Sequence, residues 1–217
     1  MWNIKKFLLI LSVNLLFLSP NNLFAQSCDL KDIDIKLCKI YNDDQQVRIR
    51  FIEMMQNPSI ELISIQHEMD SIDAINQMYV SDLLDTYGWP DNLSDSANTA
   101  IFLVIDHGDN SYSEKYFNLI KEKADQGVIQ KSNAATLEDR ILMRRNKPQK
   151  YGTQTKSEIK NDGKENVIYI WPIEDTEKVD ELRISVGLIP LNAYIQVVED
   201  TYKMKVIWDK NLSVNDF

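Results

Sequence analysis

The first half of the chain carries apolar residues at the spacing of an α-helix. In residues 29–56 they recur at mixed steps of three and four, which predicts a helix from about Asp32. Pro58 should end this helix, because the residue before a proline avoids the helical backbone conformation. The apolar positions are Leu37, Ile40, Tyr41, Val47, Phe51, Ile52 and Met55.

A second amphipathic segment follows directly. Ser59 is placed to cap it, because a serine oxygen can accept a free backbone N–H at a helix start. The segment extends to about Tyr87, where Gly88 and Pro90 favour termination. Its stripe at helical spacing, which should face the core, consists of Ile65, Met69, Ile72, Asn76, Tyr79 and Leu83.

Three more helices are predicted before the character of the chain changes. Residues 97–105 are almost wholly apolar, which is typical of a helix in the middle of a bundle. Ser94 or Asp95 can cap this helix, and Gly108 should stop it. The next two segments are SYSEKYFNLIKEKADQG, ended by Gly127, and SNAATLEDRILMRRN, capped by Ser132 or Asn133.

The pattern turns from helical to extended at the stretch QKYGTQ, residues 149 to 154. QKYGTQTKSEI and NVIYIWPI, separated by the turn NDG, predict the two strands of a β-hairpin. In an extended strand Tyr151 and Thr153 face one side, and Gly152 and Gln154 face the other. Gln149 and Gln154 are therefore not expected to act together.

The end of the chain is again helical. VDELRISVGL predicts a short helix stopped by Gly187, and PLNAYIQVVEDTYKM predicts a last helix with Pro190 near its start. These elements together indicate a mainly α fold, a single-domain bundle of five or six helices with a β-hairpin near residues 149–172. The predicted organisation is a signal peptide at 1–25, a lead segment at 26–40, the domain at 41–196 and a tail at 197–217 with one short strand.

The N-terminus has the order of a secretory signal peptide. MWNIKK is positively charged, FLLILSVNLLFLS is apolar, and Ala25 offers a small residue before Gln26. We expect export and cleavage after Ala25, which places the mature protein in the periplasm or outside the cell. AQSC also resembles a loose lipoprotein processing site, so an outer-membrane lipoprotein acylated at Cys28 is the alternative.

The chain has two cysteines, Cys28 and Cys38, and an even count in an exported protein suggests a disulfide. Ten residues along one continuous helix would separate them by about 15 Å. A disulfide requires Cα atoms within about 7 Å, so the bond needs a break in the first helix. Acylation of Cys28 and a disulfide exclude each other, and both stay open here.

The net negative charge of the chain excludes some classes of binding partner. The chain of 217 residues has a formal net charge of −9, and removing residues 1–25 with their two lysines makes it −11. Such a charge disfavours nucleic acids and anionic membrane surfaces. We therefore expect no nucleic-acid partner, and membrane attachment only if Cys28 is lipidated.

The sequence contains no phosphate loop, no dinucleotide glycine fingerprint, no nucleophile elbow and no paired-cysteine metal site. We predict no cofactor and no metal, and two histidines are too few for a histidine-rich metal centre. His67 and Asp70 share a helix face that is either exposed or a site for a metal or a base. His107, after the apolar helix, is either a functional base or a structural group that bonds helix-end carbonyls.

Two acid–base pairs stand out on the predicted helices. Asp44 and Arg48 are four residues apart, which is the spacing of a surface ion pair. Asp139 and Arg140 are adjacent and point about 100° apart, so they should not pair with each other. One of them can face inward and find a partner elsewhere.

A series of short motifs, in order, gives the chain a resemblance to a known family. They are DQQVR, DAINQM, YGWP, SANTAIFLVIDH, LEDRILM, QKYGTQ, WPIED and RISVGLIPLNAY. Over roughly residues 40 to 196 the chain resembles the bacterial family known as domain of unknown function 6624. The polar signature that the resemblance implies is Asp44, Gln45, Arg48, Asp73, Asn76, His107, Asp139, Arg140, Gln149, Tyr151, Gln154 and Arg183.

Two hypotheses of function follow. The first is a non-catalytic exported envelope protein that binds a small polar ligand or a protein partner through residues of this signature. The second is a hydrolase- or lyase-type enzyme in which His107 is the base and Arg140 stabilises an anion, with Tyr151 as a further candidate. A network of arginine, aspartate and amide groups fits either a ligand site or a packed core.

Overall fold

The computed structural model describes residues 28–55, 61–160 and 165–217. These residues form a mainly α fold of seven α-helices and one small three-stranded sheet. They divide into two compact units, with the boundary between Ile129 and Gln130. We call them the N-terminal unit and the C-terminal unit and describe each by itself.

The N-terminal unit consists of four helices. They are α1 (Cys28–Met55), α2 (Glu61–Tyr87), α3 (Asp95–His107) and α4 (Asn110–Asp125). Helix α1 begins at Cys28, earlier than the periodicity predicts. The predicted signal peptide, the Ser59 cap and the NDG turn lie outside the described residues.

Helix α3 forms the centre of the N-terminal unit, as its apolar sequence predicts. It packs against α1, α2 and α4, and most of its side chains are buried. The Ser94 side chain caps it by accepting from the Ala97 N–H, which confirms one of the two predicted caps. Asp34 of α1 accepts from the Ser94 N–H at 2.7 Å, so the cap is itself held from a neighbouring helix.

The C-terminal unit combines three helices with the sheet. Its elements are α5 (Lys131–Arg144), β1 (Thr155–Lys160), β2 (Glu165–Ile170), α6 (Val179–Ser185), α7 (Leu191–Tyr202) and β3 (Lys205–Ile207). Strands β1 and β2 are antiparallel, and β3 lies parallel to β2 on its other edge. The predicted tail therefore includes the end of α7 and a strand of the sheet.

Two predictions of detail are wrong, and one of the two alternatives for the cysteines is excluded. The N-cap of α5 is Gln130 rather than Ser132 or Asn133, because the helix begins at Lys131. The first strand begins at Thr155, and QKYGTQ before it is a bent loop. The break in α1 that a disulfide would require is absent from the described helix, so Cys28 and Cys38 are too far apart for that bond, and Cys38 carries a free thiol.

None of the helices in the described part of the chain has both the length and the apolar character needed to cross a membrane.

Candidate functional site

The polar signature divides into two sets, one in each unit. The first, which we call the three-helix cluster, consists of Asp44, Arg48, Asp73 and His107 in the N-terminal unit. The second, which we call the loop network, surrounds the QKYGTQ loop and consists of Asp139, Gln149, Gln154 and Arg183 in the C-terminal unit.

The three-helix cluster is assembled by helix packing. Asp44 and Arg48 lie one turn apart on α1, so both point toward the same side. Asp73 lies on α2, and His107 is the last residue of α3. Because α1 packs against both α2 and α3, these side chains meet in the interior. The prediction of a surface ion pair at Asp44 and Arg48 is wrong, since both side chains are only 2% exposed.

The Arg48 guanidinium lies at the centre of the cluster. Its Nη2 is 2.8 Å from Asp73 Oδ1 and 3.2 Å from Asp44 Oδ1. Its Nε donates to His107 Nδ1 at 3.1 Å. The same His107 nitrogen lies 3.0 Å from Asp44 Oδ1. His107 therefore bonds to side chains of α1, and the alternative in which it satisfies helix-end carbonyls is wrong.

The contacts of His107 Nδ1 conflict with one another. An imidazole nitrogen is either a donor or an acceptor, not both. If Nδ1 accepts from Arg48, then Asp44 Oδ1 faces its lone pair; if Nδ1 donates to Asp44, then Arg48 Nε loses its acceptor. The cluster thus cannot satisfy all its members at once, unlike a purely structural network.

The two carboxyl groups of the cluster differ in their environments. Burial opposes ionisation of Asp44, but the charge and hydrogen bond of His107 and the charge of Arg48 hold its pKa below the usual value. Burial raises the pKa of Asp73, and the charges of Arg48 and His107 only partly offset this. Gln45 donates to the second oxygen of Asp44 at 2.8 Å and fixes the orientation of that carboxylate.

Two buried donors at the cluster lack acceptors among the described residues. One is Arg48 Nη1, on a residue that is 2% exposed, and the other is Asn76 Nδ2, on a residue that is 7% exposed. Asn76 lies one turn after Asp73, on the same face of α2. Buried polar groups are normally hydrogen-bonded, so these two donors mark a place where an acceptor fits.

The acids and the histidine of the cluster also resemble a metal-binding set. Asp44, Asp73 and His107 offer ligand atoms that lie within 4.8 Å of one another. However, Arg48 already contacts both carboxylates and the imidazole. The guanidinium supplies the positive charge that a metal ion would bring, so this arrangement of donors fits an internal cation better than a metal.

The loop network has a carboxylate at its centre. Asp139 accepts the backbone N–H groups of Lys150, Tyr151 and Thr153 at 2.7–3.1 Å, and also the Thr153 hydroxyl at 2.9 Å. Burial raises the pKa of Asp139 to about 6, although the hydrogen bonds favour its ionised form. The loop bends around this carboxylate, which explains why QKYGTQ is not an extended strand.

Gln149 and Gln154 close the loop together, contrary to the prediction from strand geometry. Gln149 Nε2 donates to the carbonyls of Gln154 and Trp171, and Gln149 Oε1 accepts the Gln154 N–H. Because the chain folds back between them, residues five apart become partners. Both side chains are fully buried, which indicates that they hold the loop against the end of β2.

Arg183 of α6 fixes the outer side of the loop. Its Nη1 donates to the carbonyls of Tyr151 and Gly152, and its Nε donates to that of Ile189. Gly152 has a φ of +67°, and a Cβ there would lie 2.9 Å from the Ile173 side chain, so glycine is required on both grounds. The loop network therefore bonds mainly to backbone, as a structural brace does.

The other candidate residues lie in different places. Arg140 is buried on α5 in the C-terminal unit, whereas His107 belongs to the N-terminal unit. Tyr151 is half-buried and contributes its backbone. His67 is exposed on α2, as one of the two alternatives from the sequence predicts.

The sequence did not predict a role for Tyr194. Its hydroxyl donates to the Thr153 carbonyl, and its ring lies 4.9 Å from the Arg183 guanidinium.

Comparisons with known proteins now place the chain. A family model matches residues 31–207, and it is that of the family of unknown function DUF6624. The match covers most of the chain, so the protein belongs to this family, and the resemblance seen in the motifs is confirmed. Neither the curated proteins nor the solved structures include a significant match.

Proposed function

For a chain whose family has no known function, we propose that it is an exported, non-catalytic envelope protein that binds a small polar ligand at the three-helix cluster. The observation that carries this proposal is Arg48 Nη1, a buried charged donor without an acceptor among the described residues. A ligand oxygen that accepts from Arg48 would supply the missing partner.

The free energy required to bury the charged side chains of the cluster supports a functional role. Buried ion pairs are often no more stabilising than apolar residues of similar volume, so they are weak evidence for a stability role. The bonds of the cluster join side chains of three helices and hold no loop, whereas the loop network bonds mainly to backbone. We therefore assign binding to the cluster and bracing to the loop network.

The contact between Asp44 and His107 also favours a second candidate, an enzyme in which His107 is the base. A carboxylate that orients an imidazole is the usual support of a catalytic histidine. Within the N-terminal unit the cation in contact with His107 is Arg48. Chemical conversion of a bound ligand, lost in His107→Gln while binding is retained, would favour this candidate over binding alone.

Asn76 and Asn98 form a matched pair for testing the binding proposal. Both are 7% exposed in the N-terminal unit, but Asn98 accepts from Trp89 Nε1 and donates to the Leu93 carbonyl. We expect Asn98→Ala to lower the free energy of unfolding by roughly 1–3 kcal/mol, because it strands the indole N–H. Asn76→Ala should change it by less than about 1 kcal/mol, because it removes a donor without a partner.

The ligand response should show the opposite order. Thermal shift with a panel of amides, sugars and carboxylates should give stabilisation by one class for the wild type and for Asn98→Ala. Asn76→Ala should lose that response. Equal stability losses in the two variants, together with an equal ligand response, would contradict a site at the cluster.

The export part of the proposal rests on residues 1–25 and has its own test. Expressed with this leader in a bacterium, the protein is expected in the periplasmic fraction with Gln26 as its first residue. N-terminal sequencing and intact mass measure this result. Palmitate labelling that depends on Cys28 would show the lipoprotein alternative. An uncleaved chain that stays in the cytoplasm would contradict export.

A further inference from the structure

The three-helix cluster offers a donor and a ring nitrogen to an incoming group. Arg48 Nη1 is the donor, and it lacks an acceptor among the described residues. Both contacts of His107 are made by Nδ1, which leaves Nε2 without a hydrogen-bond partner in the described part of the chain. When Nδ1 donates to Asp44, Nε2 is an acceptor. A ligand group that both accepts and donates would therefore give partners to Arg48 Nη1 and His107 Nε2 together.

The charges of the cluster select against a negative ligand. Asp44 and Asp73 bring two carboxylates, and Arg48 is the cation that contacts both. In the tautomer whose Nδ1 donates to Asp44 the imidazole of His107 is neutral, and with both acids ionised the cluster then holds one net negative charge. A carboxylate ligand would add a second in a place removed from water, where repulsion is weakly screened. A positive ligand would compete with Arg48, which is already in contact with both acids.

We propose that the ligand presents a neutral amide group to the three-helix cluster, an inference that rests on the binding function proposed above. The amide carbonyl accepts from Arg48 Nη1, and the amide N–H donates to His107 Nε2. An amide carries its acceptor and its donor on separate atoms, so one group serves both residues. The Asn76 Nδ2 donor, one turn after Asp73, is available to the second lone pair of the carbonyl.

Three probes of equal size and different charge test this ligand class. Acetamide is neutral, acetate is negative and acetamidinium is positive, while all three have the same planar shape. The chain has two histidines, so the imidazole nitrogens can be followed by NMR after labelling with ¹⁵N-histidine. His67 is exposed and serves as the internal control for His107. Small probes bind weakly, so the titrations extend into the millimolar range at constant ionic strength.

We expect acetamide to shift the His107 signals in a saturable way and to leave the His67 signals unchanged. Acetate and acetamidinium should bind at least about tenfold more weakly, a discrimination that corresponds to one unfavourable charge contact in a partly screened site. Asn98→Ala should retain the acetamide response, and Asn76→Ala should weaken it. The weakening in Asn76→Ala shows that the probe occupies the cluster rather than a remote surface.

The other outcomes separate the two proposals. If acetate or acetamidinium binds as tightly as acetamide at His107, or more tightly, the amide class is overturned while a ligand site at the cluster stands. If none of the probes moves the His107 signals, the amide class is overturned. If the wider ligand panel also gives no stabilisation that depends on Asn76, the proposed binding function is overturned as well.

Discussion

Replacing Asp139 by alanine is expected to lower the free energy of unfolding by more than about 4 kcal/mol, which is exceptional for a single substitution. The substitution removes the acceptor of three backbone N–H groups, those of Lys150, Tyr151 and Thr153, and of the Thr153 hydroxyl. Each donor left without a partner beside the fully buried Asp139 position costs about 1–3 kcal/mol. Urea denaturation followed by circular dichroism measures the loss.

Asp175 provides the matched control, since its carboxylate also accepts backbone N–H groups, from Glu177 and Lys178. Its side chain is 43% exposed, so water can replace the carboxylate in Asp175→Ala and the loss should be much smaller. If Asp139→Ala does not fold, Asp139→Asn, which keeps one carbonyl acceptor, should fold with an intermediate loss. Similar stabilities of Asp139→Ala and Asp175→Ala would show that the loop does not depend on its central carboxylate.

The helices could be predicted from sequence because their signals are local. Helix α3 follows from an apolar run with Ser94 before it and Gly108 after it, all within one short segment. The end of α4 follows from Gly127, whose φ of +74° only glycine adopts readily. In each case the residues that decide the element lie within the element or beside it.

The loop could not be predicted in this way, because distant residues decide its shape. As an isolated segment QKYGTQ has the polar alternation of a strand. Its bent conformation follows from Asp139, more than ten residues earlier, and from Arg183, about thirty residues later. The alternation of side chains applies only within a strand, and the strand begins after this loop. The prediction that Gln149 and Gln154 point to opposite sides and do not act together was therefore wrong.

The three-helix cluster shows the same limit for the candidate site. Asp44 and Arg48 have the spacing of an exposed i,i+4 pair, and nothing local distinguishes them from Lys39 and Asp43 on the same helix. Burial is decided by Asp73 and His107, which come from helices far along the chain. The family motifs include all four residues together with those of the loop network. Only the contacts separate a cluster of side chains bonded to one another from a network bonded mainly to backbone.

Replacing Arg48 by methionine is expected to lower the free energy of unfolding by about 3–5 kcal/mol, because it leaves the buried carboxylate of Asp44 and the partly buried carboxylate of Asp73 without their cation. Methionine keeps most of the side-chain volume, so lost packing contributes little. The control is Lys39→Met, in the i,i+4 pair of Lys39 and Asp43 on the same helix. Both members of that pair are well exposed, and the change should be within about 0.5 kcal/mol.

A second substitution separates the charge effect from other causes. Asp73→Asn removes one of the two stranded charges, so the Arg48→Met/Asp73→Asn double variant should be more stable than Arg48→Met alone. The remaining carboxylate, Asp44, keeps its contacts with His107 and Gln45. Chemical denaturation of the four members of this cycle gives the coupling energy, expected at about 1–3 kcal/mol for residues in direct contact. Additive losses in the double variant would show that Arg48 contributes through packing, and the assignment of a charged centre to the three helices would then be wrong.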